Sequence, residues 1–149
     1  EVGILAGAGG EIKAVEAVGK ADDLADIARD FARRGGFVVS ITGPTDIVTD
    51  GGRVALVANG HPMMATVTGT GCMSTTITAA FAATNDDRFT AATGALVGFG
   101  IAGENAAREA GNRPGTFHAA LYDALYALSP DDIKRGARVE LVEKISAQG

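Results

Sequence analysis

Apolar residues recur at helical spacing in the first clear pattern along the chain. Between positions 22 and 34 they fall at i, i+3, i+4 and i+7. They are Leu24, Ile27, Ala28 and Phe31. Acidic residues occupy the first turn of this segment and two arginines occupy its last turn, as the helix dipole favours. Gly35-Gly36 follows, so the pattern predicts a helix over 22–34. The β-branched run 37–42 comes next and predicts a buried strand, which makes the two elements half of a βαβ unit.

Alternation of apolar and polar residues follows in the segment DIVTDGGRVALVANG, which begins at Asp46. The alternation lies on both sides of Asp50-Gly51, and this combination predicts a β-hairpin. The next segment, HPMMATVTGTG, holds one proline and two glycines and is predicted to be a connecting loop.

Helical patterns dominate the second half of the chain. One helix is predicted over about 72–83, and an alanine-rich one over 89–108 that is broken or bent near Gly98–Gly100. The last clear helix is predicted at about 116–128. A short capped turn follows, and then a segment whose pattern fits a strand or a helix.

The composition of the 149-residue chain is that of an ordinary globular protein, with 46% apolar and 21% charged residues. Its 21 glycines are far above average usage and follow no collagen-like period. Many glycines together with small aliphatic residues are typical of α/β enzymes with tight turns between strands and helices. We therefore expect an α/β fold, with residues 1–149 in one domain.

Charge and cysteine content narrow the expected partners and compartment. The net charge of −5 argues against nucleic acid or an anionic membrane as the main partner. No uninterrupted apolar run approaches the roughly 20 residues that a membrane helix needs. The single cysteine cannot form an internal disulfide, so a reducing cytoplasm is the expected location.

Candidate chemistry begins where Gly69-Thr70-Gly71 leads into a predicted helix. Glycines permit positive φ and let a ligand approach the backbone closely. The first turn of a helix adds unpaired N–H groups and the positive end of the helix dipole. Together these features predict a site for a phosphate or a developing oxyanion, although a tight loop without a ligand has the same pattern.

Cys72 follows directly, and two interpretations of it stay open on the residues alone. A thiol in the first turn of a helix has its thiolate favoured, which makes it a candidate reactive group. A free cysteine is also one of the most commonly buried residue types and packs as a small hydrophobe. A Cys/His dyad would need His61 or His118 as partner, and loop or surface roles are favoured for both. One cysteine and two scattered histidines lack the spacing of a zinc site.

Four blocks in order give the sequence a family resemblance: ITGPTDIVTDGGRV, NGHPMMATVTGTGC, FGIAGENAA and RPGTFHAALYDALYAL. In these blocks the chain resembles the hydroxyethylthiazole kinase family. The resemblance implies a ribokinase-like fold, a three-layer αβα arrangement with a mostly parallel central sheet. It extends over the C-terminal part of the family's longer chains, and the sequence starts without a methionine, so we expect a part of a longer protein.

The resemblance also implies roles at the glycine turn. Most ribokinase-like kinases have an aspartate there as the base that takes the proton of the substrate hydroxyl, and the thiazole kinases have a cysteine, which matches Cys72. Gly69, Thr70 and Gly71 correspond to the anion hole over the transferring phosphoryl group. Gly69 would also contact the substrate.

Further implied roles concern the nucleotide and the metal. Thr42 matches a residue that contacts ATP, and Glu1 matches an acid that helps to organise Mg²⁺ and phosphate. The family commonly has T-G-E-x-D where this chain has TGPTD, so Pro44 replaces an acid while Asp46 is retained. A loop-capping role is an equally good interpretation of Asp46.

The resemblance implies transfer of the γ-phosphate of ATP to the hydroxyl of 4-methyl-5-(2-hydroxyethyl)thiazole in thiamin biosynthesis or salvage. It also implies Mg²⁺ and a homotrimer with the thiazole site between subunits. One alternative is a related kinase for a pyridoxine or hydroxymethylpyrimidine alcohol. Others are a cysteine-dependent hydrolase that uses Cys72 and His61, and a non-enzymatic binding or interface module.

Overall fold

The computed structural model describes residues 21–142, with side chains from residue 24 onward. The elements in chain order are α1 (Ala21–Gly35), β1 (Val39–Ile41), β2 (Asp46–Thr49), β3 (Val54–Val57), a 3₁₀ turn (Pro62–Thr66), α2 (Thr70–Thr84), α3 (Arg88–Ala110), α4 (Pro114–Ala127), α5 (Pro130–Gly136) and β4 (Val139–Leu141). None of the described helices is both long enough and apolar enough to cross a bilayer. The helices predicted at 22–34, 72–83 and 116–128 and the hairpin after Asp46 are confirmed within a few residues.

The four described strands form one sheet in the order β1-β2-β3-β4, and every neighbouring pair is antiparallel. The expectation of a mostly parallel sheet is therefore wrong for this part of the chain. The physical reason lies in the connections, because only residues 42–45 join β1 to β2 and residues 50–53 join β2 to β3. A parallel pair needs a crossover of a dozen residues or more, so links this short dictate hairpins.

Helices cover both faces of this sheet, which confirms the α/β class and gives three layers. On one face Val39 packs with Ala28 and Ala32 of α1. On the other face Val48 packs in a cluster with Leu96 of α3. The strand β1 is buried on one face only and is shorter than the predicted run 37–42. A second apolar cluster lies among the helices, where Phe117 of α4 is fully buried against α3.

The β2–β3 turn is fixed by polar contacts that also anchor α3. Asp50 accepts hydrogen bonds from the backbone N–H groups of Gly52 and Arg53 at 2.9 and 2.7 Å. The Arg53 guanidinium donates to both carboxylate oxygens of Asp87, the N-cap of α3, at 2.9 and 2.8 Å. It also lies 4.3 Å from the ring centroid of Phe89. The hydrogen bonds from Arg53 hold the pKa of Asp87 well below its usual range, so the cap stays charged.

The helix α3 is continuous from Arg88 to Ala110, and the break expected near Gly98–Gly100 is absent. Its glycines serve close packing instead. A Cβ at Gly98 would lie 3.0 Å from a methyl carbon of Leu128, and a Cβ at Gly100 would lie 2.5 Å from the Cβ of Asn59. Glycine lowers helix stability, but here the lack of a side chain lets neighbouring segments contact the helix backbone.

Candidate active site

A cavity of about 600 Å³ lies where four segments of the fold meet. Its walls come from the loop between β1 and β2, the segment from Asn59 to Ala65, the start of α2 and the middle of α3. The volume falls within the usual range for small-molecule sites. The lining residues include Thr42, Thr70 and Gly71, for which the sequence analysis expects contacts to ATP or to the transferring phosphoryl group. Gly69 and Cys72 flank the latter pair in the chain without lining the cavity themselves.

The start of α2 has the backbone geometry that the Gly-Thr-Gly motif predicts. Gly69 is the N-cap, with φ of +99° in the left-handed region, and no side chain caps the helix. The first helical hydrogen bond runs from the N–H of Met73 to the carbonyl of Gly69 at 2.9 Å. The N–H groups of Thr70, Gly71 and Cys72 therefore precede the helical ladder, and with the positive end of the dipole they can bind an anion.

The Thr70 hydroxyl is hydrogen bonded to backbone carbonyls. It donates to the carbonyl of Met64 at 2.9 Å, with the carbonyl of Val67 a second acceptor at 3.3 Å. A hydroxyl has one proton to donate, so a ligand would meet its oxygen lone pairs or the backbone N–H of Thr70. This hydrogen bond also ties the start of α2 to the 3₁₀ turn.

Cys72 lies in the first turn of α2, and its side chain is exposed. The interpretation of Cys72 as a buried core residue is therefore wrong. An exposed thiol beside a helix N-terminus is accessible for proton transfer or modification.

The two histidines do not form a dyad with this thiol. His61 is the N-cap of the 3₁₀ turn, where its Nδ1 accepts from the N–H of Met63 at 3.2 Å, and His61 lines the cavity. His118 lies on α4 with its Nε2 at 3.1 Å from the hydroxyl of Tyr122. Across residues 24–142 no hydrogen bond joins either histidine to Cys72, so the geometry does not favour the cysteine-dependent hydrolase.

The loop after β1 brings Thr42, Pro44 and Asp46 to the cavity. The carboxylate of Asp46 accepts a hydrogen bond from the N–H of Gly43 at 2.8 Å, which confirms its loop-capping role. Burial raises the pKa of Asp46 despite this hydrogen bond. Pro44, which the sequence analysis expects to replace an acid, also lines the cavity.

The described residues offer little to hold a metal without a bound nucleotide. Within residues 24–142 no group of three or more His, Cys, Asp or Glu side chains could hold a metal ion. Asp46 is the one acid among the cavity-lining residues of the described part. One or two carboxylates with substrate phosphates are a usual donor set for Mg²⁺, so Asp46 fits such a set but cannot complete it alone. Glu1, the other expected acid, lies outside the described residues.

Two polar residues at this cavity carry no role in the sequence analysis. Asn59 is buried in the wall, and Glu104 of α3 stands behind it, where the two side chains are hydrogen bonded at 3.2 Å. The signal in the sequence is the acid in the run GIAGENAA, which is otherwise small and apolar except for Asn105. An acid at the edge of a buried helix face needs partners, and these cannot be identified from local spacing.

Comparison with known proteins places the sequence among described relatives. Residues 1–131 match the model of a family described as the hydroxyethylthiazole kinase family. A hydroxyethylthiazole kinase from Thermoanaerobacter pseudethanolicus is 48% identical over 141 residues, which cover 94% of this chain and 53% of the relative. A hydroxyethylthiazole kinase from Methanoculleus marisnigri is 51% identical over 141 residues, which cover 94% of this chain and 50% of the relative.

A solved structure also resembles this chain in its fold. It is described as a hydroxyethylthiazole kinase protein from Pyrococcus horikoshii OT3, and it matches with a TM-score of 0.77 at 42% identity. The match covers 82% of this chain and 47% of the solved one. The chain therefore spans about half the length of the relatives that it matches.

Proposed function

Since this chain belongs to the hydroxyethylthiazole kinase family, we propose that it forms part of a kinase for 4-methyl-5-(2-hydroxyethyl)thiazole. The reaction transfers the γ-phosphate of ATP to the hydroxyl of this alcohol in thiamin biosynthesis or salvage. The observation that carries the proposal is the uncapped start of α2 at a cavity of about 600 Å³. Such a helix start suits the phosphoryl group that passes between the two substrates.

Phosphoryl transfer depends mainly on positioning and on stabilisation of charge. The hydroxyl oxygen of the alcohol attacks the γ-phosphorus, the bond from that phosphorus to the β–γ bridging oxygen breaks, and ADP leaves. Negative charge on the transferring group is stabilised by the N–H groups at the start of α2, where Gly69, Thr70 and Gly71 form the anion hole. Gly69 also contacts the alcohol in this scheme.

The proton of the attacking hydroxyl goes to a nearby base. We assign this assistance to Cys72, whose thiol is exposed in the first turn of α2. An ordinary thiol is mostly protonated near neutral pH, whereas a carboxylate is ionised, so less of the thiol is ready to accept a proton. The helix start therefore contributes more to the rate than Cys72 does.

We propose nucleotide and metal roles for the loop after β1, together with Glu1. Thr42 contacts ATP at the end of β1, and Asp46 is the described carboxylate that would face Mg²⁺, with Glu1 as a second acid. Bound Mg²⁺ would supply charge neutralisation for the nucleotide phosphates.

We further propose a cytoplasmic homotrimer with the alcohol site between subunits. Light scattering during size-exclusion chromatography would test its mass.

A coupled assay of ADP release tests the proposed activity, with ATP, Mg²⁺ and the thiazole alcohol as substrates. Pyridoxine and hydroxymethylpyrimidine serve as comparison alcohols. Because the chain spans half of its relatives, two preparations are assayed: the chain alone, and the chain joined behind the N-terminal half of the Thermoanaerobacter pseudethanolicus relative. We expect turnover with the thiazole in the joined protein. Turnover only with a comparison alcohol, or with none of the three, would overturn the proposal.

Replacement of Cys72 by serine is expected to lower kcat about tenfold with both KM values within about twofold, because a hydroxyl is a poorer proton acceptor than a thiol. Replacement by aspartate is expected to keep kcat at or above the wild-type value, since a carboxylate is ionised at neutral pH. Steady-state kinetics in the joined protein measure both. Thr75→Ser, on an exposed position of the same helix, is the matched control. Full kcat in Cys72→Ser would exclude Cys72 from proton transfer.

A further inference from the structure

One wall of the cavity is the segment 59–64, which lies directly on the backbone of α3. A Cβ added to Gly100 would be 2.5 Å from the Cβ of Asn59 and 2.6 Å from its carbonyl carbon. A Cβ added to Gly103 would be 2.5 Å from the sulfur of Met64. The segment, named here the 59–64 wall, therefore touches α3 at both of its ends, with Gly60, His61 and Pro62 between the contacts.

Next to the contact at Asn59, the carboxylate of Glu104 on α3 accepts hydrogen bonds from the wall. Its Oε1 accepts from the backbone N–H of Gly60 at 2.9 Å and from the side-chain amide of Asn59 at 3.2 Å. Gly60 has φ of +133°, so its N–H is presented by a backbone conformation that glycine adopts readily. Glu104 is thus the side chain that joins the cavity wall to α3 by hydrogen bonds.

Glu104 is itself held in place by Arg138, just before β4. The guanidinium donates to Oε1 at 2.7 Å and to Oε2 at 3.2 Å, and it also donates to the carbonyl of Ala58 at 2.7 Å. Burial alone raises the pKa of Glu104, but the hydrogen bonds from Arg138, Gly60 and Asn59 outweigh it and leave the pKa below the ordinary value. The acceptor is therefore charged at neutral pH, and charge-assisted hydrogen bonds are stronger than neutral ones.

The side chain of Asn59, at the start of the wall, makes two further hydrogen bonds. Its amide nitrogen also donates to the carbonyl of Gly136 at 2.9 Å, and its Oδ1 accepts from the N–H of Arg138 at 2.8 Å. At the other end, the carbonyl of Met64 accepts from Thr70 at the start of α2. The wall is therefore held at Asn59 and at Met64, and Glu104 fixes the N–H of Gly60 between them.

We propose that Glu104 is a positioning residue that sets the 59–64 wall for the alcohol substrate, an inference that rests on the proposed function. Pro62 and Met64 of the wall line the cavity together with Phe99 of α3. Such a surface suits a small heteroaromatic ring, because methionine and aromatic side chains pack well against π systems. ATP meets the chain elsewhere, at the start of α2 and the loop after β1, so Glu104 acts on the alcohol more than on the nucleotide.

Three variants test this, in the protein joined to the N-terminal half of the relative. Glu104→Ala removes all acceptors, whereas Glu104→Gln keeps an amide oxygen for Gly60 and loses the charge that faces Arg138. Glu109→Ala, at an exposed position on the same helix, is the matched control. We expect Glu104→Ala to raise KM for the thiazole alcohol about tenfold and KM for ATP by less than twofold. Glu104→Gln is expected to raise the alcohol KM about threefold, and Glu109→Ala to leave both KM values unchanged.

Hydrogen exchange of the Gly60 amide gives a measurement that does not depend on turnover. In Glu104→Ala this amide is expected to exchange at least about tenfold faster, while core amides of α3 keep their protection. Unchanged exchange at Gly60, or an unchanged alcohol KM, would overturn the proposal, as would parallel changes in both KM values with loss of protection throughout α3. If Glu104→Ala does not fold, wild-type values in Glu104→Gln overturn it. If the wild type phosphorylates no thiazole, the proposed function fails, and the exchange result alone decides whether Glu104 fixes the wall.

Discussion

Replacement of Gly69 by alanine is expected to lower kcat/KM for thiazole phosphorylation about 100-fold. The space around a Cβ at this position is open, so the effect comes from the backbone, which has φ of +99°. A left-handed conformation of this kind costs an L-residue roughly 1–3 kcal/mol. Relief of that strain rotates the backbone at the N-cap of α2 and turns the first N–H groups away from the anion. Loss of a single oxyanion donor typically reduces kcat by about 10² to 10³.

The matched control for this variant is Gly111→Ala. Gly111 is the C-cap of α3, with φ of +58° and ψ of −131°, and it also has open space around it. Alanine therefore introduces strain at a positive φ away from the cavity, in a backbone region that disfavours L-residues at least as much as that of Gly69. Steady-state kinetics and thermal unfolding of both variants separate catalysis from stability. An equal loss of activity in the two variants, or a kcat/KM of Gly69→Ala within threefold of wild type, would remove the helix start from the proposed mechanism.

Replacement of Gly100 by alanine is expected to lower the free energy of unfolding by about 2–3 kcal/mol, near the upper end of what overpacking usually costs. The new Cβ would lie 2.6 Å from the carbonyl carbon of Asn59, and backbone cannot swing away as a flexible side chain can. Asn59 is also held by Gly136 and Arg138, so either α3 or the cavity wall has to move. The expected fall in Tm is about 5–10 °C.

Gly94→Ala on the same helix is expected to raise the free energy of unfolding instead of lowering it. A Cβ there meets the ring of Phe81 at 3.6 Å, which is ordinary van der Waals contact. Because no clash opposes it, the higher helix propensity of alanine stabilises the fold by about 0.5–1 kcal/mol. Urea unfolding followed by circular dichroism measures both variants under one condition. Stabilisation by Gly100→Ala, or destabilisation of equal size by the two, would contradict the close approach of the wall to α3.

Local signals in the sequence were sufficient for the helix ends and for the hairpin. Asp50-Gly51 with flanking alternation predicted a turn that the structure contains, and the glycine run before Cys72 predicted the start of α2. The antiparallel pairing of β1 with β2 was also within reach. The predicted strand ended at Thr42 and the next began at Asp46, which leaves too few residues for a parallel crossover. The parallel sheet implied by the family resemblance obscured that signal.

The polar contacts behind the cavity could not be predicted in this way. Glu104 meets Gly60 across 44 residues of sequence and Arg138 across 34, and no local period connects such positions. The supposed break in α3 had a related cause. Glycines at 98 and 100 have the same appearance in a sequence whether they end a helix or admit a neighbour, and only the tertiary contacts distinguish the two.

The glycines of α3 also bear on the order of events in folding. Glycines at 94, 98, 100 and 103 lower the intrinsic helix tendency of this alanine-rich segment, and isolated helices are marginal in water even when their sequences favour a helix. Its helical state must therefore be stabilised by the segments that dock on it, among them the wall from Asn59 to Met64. We therefore expect the completion of α3 and the closure of the cavity to be coupled in folding, so that the binding site and the central helix form together.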